Sequence, residues 1–179
     1  MEQLEKANRW RHQRAAYEAL SNSKKTELEE LEVFNSFAFV ANADIDANSG
    51  VNRPHPEPDI RCTVSGATRY FELGEITDQP VSILMAHALE NNEITGCAFS
   101  QDRPFDYILG KKAKKNYQTN GAPVELLLYY RTQAVPPLIH FADLLRKNMP
   151  LVDSMIRSGQ FQRIWIFDFG KQHVLWQSS

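Results

Sequence analysis

The chain has 179 residues, a formal charge of −2 and 42% hydrophobic residues, which suffices for one well-buried core and is small for two independent domains. So balanced a charge excludes a globally basic nucleic-acid binder, and any contact with phosphate has to come from a local patch. Two cysteines, Cys62 and Cys97, with no CxxC pair exclude a disulfide framework and a zinc knuckle; the absence of a signal-type N-terminus and of an apolar run near the roughly 20 residues that span a bilayer predicts a soluble, cytoplasmic protein with no membrane partner.

Residues 2–20 carry Leu4, Ala7, Trp10, Ala15, Tyr17 and Leu20 among charges, and Ser21-Asn22-Ser23 then supplies a break with N-cap candidates. The pattern predicts two helices. In the second, about 23–38, Leu28, Leu31, Phe34, Phe37 and Ala38 recur at three- and four-residue spacing, while Glu27, Glu29, Glu30 and Glu32 are interspersed and mostly solvent-facing. From Ala41 to Pro58 the chain is rich in Asn, Asp, Gly and Pro and reads as a loop. Two period-two runs follow, DIRCTVS and TRYFELGEI, and Gly66-Ala67 between them suits a two-residue hairpin turn with glycine first.

Helical patterns return at 80–93, with Val81, Leu84, Met85, Ala88 and Leu89 on one face, and at 104–117, opened by Pro104 in the first turn. VELLLYYRT, 124–132, is too apolar for a half-exposed strand and is expected in the middle of a sheet covered on both faces. A last helix, about 138–157, follows Pro136-Pro137, and strands RIWIFDF (163–169) and KQHVLWQ (171–177) meet at Gly170. This order of strands and helices predicts a single α/β domain over 1–179, with 1–22 as an N-terminal helical extension.

With Ser65 and Thr68 flanking the turn, Ile60 faces Leu73, Cys62 faces Phe71 and Val64 faces Arg69 on a largely apolar side of the hairpin. The other side places Asp59 opposite Gly74 and Arg61 opposite Glu72, so that Asp59 and Glu72 become diagonal neighbours with Gly74 leaving room between them. Two carboxylates that converge where a side chain is missing suit a hard cation such as Mg²⁺ (or Mn²⁺), which takes oxygen ligands and keeps waters elsewhere. The alternative is structural: Arg61 pairs across the strands with Glu72, and Asp59 caps the Pro-rich loop.

A helix containing Glu, Pro58-Asp59 opening a strand, a hairpin leading to Glu72-Leu73-Gly74, then a helix and an apolar strand together resemble the PD-(D/E)XK nuclease superfamily, over roughly residues 25–132. The resemblance implies a restriction-endonuclease-like αβββαβ core, a central mixed sheet flanked by helices within 23–132, with 133–179 adding a C-terminal helix and strands. It also implies metal binding by Asp59 and Glu72, with the backbone carbonyl of Leu73 as a further ligand. The sequence departs from the pattern at Gly74, where the family's lysine should stand. In some members a neighbouring helix supplies that lysine. Here Lys111, Lys112, Lys114 and Lys115 are candidates, and at 100° per residue only Lys112 falls on the inward stripe of Phe105, Leu109, Ala113 and Asn116, with Lys115 at its margin.

Lys112 would hold the attacking water or offset charge developing on a phosphate, and the remaining lysines, Lys111 and Lys115 among them, would form a basic face for phosphate. A glutamate of the helix preceding the hairpin often completes such sites, which points to Glu30, and Glu75 is a fallback ligand if the strand bulges after Gly74. Five histidines, His12, His55, His87, His140 and His173, form no HxH or HxxxH pair, so a zinc site has no local support, and His55 alone lies near the carboxylates. Two functions remain open. One is a metal-dependent phosphodiesterase acting on DNA or RNA; the other is a non-catalytic, nuclease-fold interaction module, compatible with a homodimer, that lost its lysine at position 74.

Overall fold

The computed structural model describes residues 17–41, 43–46, 48–77, 104–131 and 138–178. Helix α1, Asn22–Val40, starts where Ser21 accepts the Lys24 amide on its side-chain oxygen at 3.3 Å, the N-cap bond that Ser21-Asn22-Ser23 offers. Strands β1 (Val51–Asn52), β2 (Ile60–Val64) and β3 (Ala67–Glu75) follow, then α2 (Pro104–Lys112), β4 (Val124–Tyr130), α3 (Leu138–Arg157), β5 (Arg163–Asp168) and β6 (His173–Gln177). The helix expected at 80–93 and nearly all of the first expected helix lie outside the described residues.

The six strands form one mixed sheet in the order β1-β2-β3-β4-β5-β6. The β3-β4 and β4-β5 pairs are parallel and the other pairs antiparallel. Every residue of β4 is buried, as the unbroken apolar run requires of a strand covered on both faces. One cover is α1, which packs Val33, Phe34 and Phe37 onto Phe71, Leu127, Trp165 and Phe167. The other is α2 with α3, which pack Phe105, Leu109, Phe141, Val152 and Met155 onto Leu126, Leu128, Ile164 and Ile166. The arrangement is a three-layer α/β fold, and strands β5 and β6 continue the same sheet rather than forming a separate unit. No helix among the described residues is long and apolar enough to cross a membrane.

Three local expectations need correction. The loop from 41 to 58 contains β1, which lies antiparallel against the edge of β2, and an isolated bridge from Ile45 to Val64; its backbone groups find partners on that edge despite the residue composition. In α1 the buried stripe uses Val33, whereas Leu28 is exposed. The hairpin turn consists of Ser65-Gly66, not Gly66-Ala67. Both residues have positive φ, 49° and 78°, the geometry whose twist matches paired strands. The register accordingly moves by two residues, with Ile60 opposite Phe71 and Arg61 opposite Tyr70. A shift of two preserves which side chains share a face.

Phe37 lies within ring contact of Phe71, Trp165 and Phe167, with centroids 5.8, 5.1 and 5.8 Å away. It ties α1 to both halves of the sheet. Phe37→Ala is expected to lower stability by about 3–5 kcal/mol through the cavity it leaves, read as a shifted midpoint in urea unfolding with fluorescence detection.

Candidate functional site

The β2–β3 ladder closes at Ile60 and Phe71, so the next residues outward are Asp59 and Glu72. They stand side by side rather than on the expected diagonal. Asp59 Oδ2 accepts the backbone N–H of Leu73 at 2.8 Å, which fixes the carboxylate against β3. Glu72 points to the α2–α3 side of the sheet and is 1% exposed. A carboxylate so deeply placed requires a charged partner.

Helix α2 supplies it. The Lys112 ammonium donates to Glu72 Oε1 and to the carbonyl oxygen of Leu73 and lies 4.0 Å from Asp59 Oδ2. Lys112 is itself buried, at 7% exposure, as its place on the Phe105–Leu109 stripe predicts. The space left by Gly74 is therefore not open. A Cβ built there would come within 2.9 Å of Leu128 Cδ2, 3.0 Å of Ile108 Cγ1 and 3.2 Å of Lys112 Cε. The glycine that breaks the family pattern is what lets the lysine stem of α2 cross β3 at close range.

Lys115 is the second cation. The helix expected to run to residue 117 stops at Lys112, and the amides of Lys114 and Lys115 turn back onto the carbonyls of Lys111 and Lys112 in tight i→i+3 bonds. The side-chain amide of Gln160 donates to the carbonyls of Lys112 and Lys115 at 2.9 and 2.8 Å, satisfying groups that a helix end leaves without partners. This early stop swings Lys115 inward, and its Nζ reaches Glu72 Oε1 at 2.8 Å. The expectation that Lys115 belongs to an outward basic face is corrected in that respect. Lys111 and Lys114 do face solvent.

Arg61, the alternative partner for Glu72, is exposed and stands opposite Tyr70. His55 is exposed in the loop that leads to Asp59. That loop is braced by the Arg53–Glu57 ion pair, at 2.7 Å, and by the Gln118 amide, which donates to the Pro56 carbonyl at 3.3 Å. Glu75 lies beyond Gly74 on the α1 side of the sheet, where burial raises its pKa against the pull of Arg131. It is not part of the cluster.

The charges interact strongly. Burial and then the neighbouring Glu72 raise the Asp59 pKa. Burial also pushes on Glu72, but Lys112 and Lys115 outweigh it and hold that carboxyl below its usual range. Glu30 on α1 is close enough to feel Asp59, Lys112 and Glu72; burial first, then the Asp59 charge, raises its pKa to about 7. The buried Tyr117 hydroxyl lies beside Glu72 and has no hydrogen-bond partner of good geometry among the described residues. Neither Gln160 nor Tyr117 was expected at the site. Gln160 is 48 residues from Lys112 along the chain, and no motif marks it; Tyr117 follows the lysine run but reads as one more residue of a longer helix.

Two carboxylates, one carbonyl and two ammoniums thus meet at the edge of β3. Among the described residues no group of three or more His, Cys, Asp or Glu side chains converges to hold a metal; Asp59, Glu72 and the Leu73 carbonyl are the oxygens that gather around one cation here, the Lys112 ammonium. Comparison of the chain with family models, with characterised proteins and with solved structures gave no match.

Two outcomes are expected. Gly74→Ala forces the new methyl against Leu128 and Ile108 and should cost about 1–3 kcal/mol, measured by urea unfolding. Glu30 holds its proton more tightly in the folded protein than in the unfolded chain, with the pKa rising from 4.5 to about 7. Its burial therefore costs nothing below the lower value, weighs progressively as pH rises between the two, and reaches its full cost above pH 7. Unfolding of wild type and Glu30→Gln at pH 5 and pH 8 should show the variant gaining stability relative to wild type at the higher pH; an equal difference at both values would contradict the raised pKa.

Proposed function

We propose that the chain is a metal-dependent phosphodiesterase acting on DNA or RNA, built on a PD-(D/E)XK-like site in a restriction-endonuclease-like core. One observation carries the reading: Lys112 reaches Glu72 and the Leu73 carbonyl across the gap at Gly74, so the lysine missing from the motif position is present in space. The order of helix, hairpin, helix and central strand supports it as well.

The donor set fits a hard cation. Oxygens of Asp59, Glu72 and Leu73 would hold Mg²⁺ or Mn²⁺, with water in the remaining positions. Bound there, the ion would activate a water and steady the leaving oxygen. Asp59 is oriented for this by the Leu73 amide, and Lys115 holds Glu72 from the mouth of the cluster. The Lys112 ammonium offsets negative charge on the scissile phosphate. Glu30, with a pKa of about 7, is able to accept or release a proton near neutral pH. Lys111, exposed on α2, and Lys115, at the mouth of the cluster, would contact flanking phosphates.

A second reading is favoured by one feature. Both ammoniums are already committed to Glu72, a self-compensated cluster of the kind a non-catalytic interaction module, as monomer or homodimer, would keep. Cleavage of labelled DNA and RNA with Mg²⁺ or Mn²⁺ separates the two. For the enzyme, Asp59→Asn, Glu72→Gln and Lys112→Met should each reduce cleavage by about 10²-fold or more, and chelation should abolish it. Wild type that cuts neither substrate and gains no melting temperature from Mn²⁺ would sink the enzyme and leave the interaction module.

A further inference from the structure

Lys112 occupies the position that the proposed reading assigns to the metal. Its ammonium is held by Glu72 Oε1 and the Leu73 carbonyl and stands 4.0 Å from Asp59 Oδ2, the same three groups that would ligate a divalent ion. We infer that Lys112 is the resident cation of this site and that a divalent metal and the Lys112 ammonium exclude one another, so that binding the ion drives the lysine out of the carboxylate pocket. The inference rests on the metal-dependent reading and adds a regulatory feature to it.

Three observations support exclusion over coexistence. The first is space. Lys112 passes over Gly74 with Cε 3.2 Å from where a Cβ would stand, a place that Leu128 and Ile108 also crowd, so the stem runs through a tight passage straight to the oxygens that an ion would use. A second is lone pairs. At Glu72 Oε1 both acceptor sites are taken by Lys112 and Lys115, so an ion binds that oxygen only in place of one of the lysines. The third is charge. Two lysines balance two carboxylates in a pocket where Glu72 is 1% exposed, and a dication added there leaves an excess of positive charge that expulsion of one ammonium halves.

The way out is also visible. Lys112 is the final residue of α2 and is followed by tight turns, so its displacement would not require helix interior to unwind. Lys115 stands at the mouth, its side chain 35% exposed. A displaced Lys112 ammonium would meet a phosphate there rather than a carboxylate. The same residue then serves two states, closing the pocket without metal and facing substrate with it.

Mn²⁺ binding, followed by calorimetry and by the electron paramagnetic resonance of the free ion, tests the exclusion on the full chain. Lys112→Met keeps the length of the stem and removes the charge; Lys111→Met removes an equal charge from the exposed face of the same helix. The expected result is at least tenfold tighter Mn²⁺ binding by Lys112→Met than by wild type or Lys111→Met, and binding by Lys112→Met alone supports the inference equally. Equal affinity of the two variants overturns it while leaving the metal site standing. Absence of Asp59-dependent Mn²⁺ binding in both wild type and Lys112→Met overturns the inference and the metal-dependent reading together.

A measurement on wild type alone guards against a variant that fails to fold. Reductive methylation of lysines, quantified peptide by peptide, should find Lys112 protected without metal and labelled several-fold faster with saturating Mn²⁺, while Lys111 stays constant. A Lys112 rate unchanged by bound Mn²⁺ overturns displacement.

Discussion

Glu72 is a carboxylate within the buried stretch Tyr70–Gly74 of β3, and the surrounding architecture answers to that one buried charge. An isolated anion there would cost several kcal/mol. The compensating cations come from outside the strand, from α2 and the turn after it, so the position of that helix relative to β3 is dictated by electrostatics as much as by the packing of Phe105 and Leu109. Gly74 follows from the same demand, since any side chain two residues along the same face would occupy the path of the lysine stem.

The rest of the scaffold keeps this arrangement rigid. Strand β4 lies between two apolar cores and pairs in parallel with β3, holding Leu128 beside Gly74. On the far side α2 is fastened to α3 through Asp106, whose carboxylate accepts from Asn148 and Lys147, each at 2.7 Å. Glu125 is the counterpart of Glu72 on the opposite face of the sheet. It is also buried, and it is matched by the indole N–H of Trp165 at 2.6 Å and by Arg69 at 2.8 Å. Two deep carboxylates on neighbouring strands are thus satisfied by different means, a hydrogen-bonded indole with guanidinium in one case and two lysine ammoniums in the other.

The sequence made much of this legible where periodicity was strong. The apolar run of β4, the long pattern of α3 and the alternating hairpin strands all appear at the expected places, because each reports burial of a single face or of two. Lys112 was also identifiable, since three- and four-residue spacing puts it on the stripe of Phe105 and Leu109. The register was not. Both Ser65-Gly66 and Gly66-Ala67 are chemically acceptable turns, and both keep the same side chains on each face, so the alternation of the two strands does not distinguish them. The inward swing of Lys115 was hidden for a related reason: α2 ends where Gln160, far along the chain, takes its carbonyls.

That last contact has a consequence for the order in which the protein comes into being. A nascent chain that has emerged as far as β4 already contains Asp59, Glu72 and both lysines, yet the Gln160 side-chain amide that the carbonyls of Lys112 and Lys115 accept enters only with the segment that follows α3. The turn that carries Lys115 to Glu72 is thus braced by the segment that joins α3 to β5, through a residue that belongs to neither the hairpin nor the helix it serves.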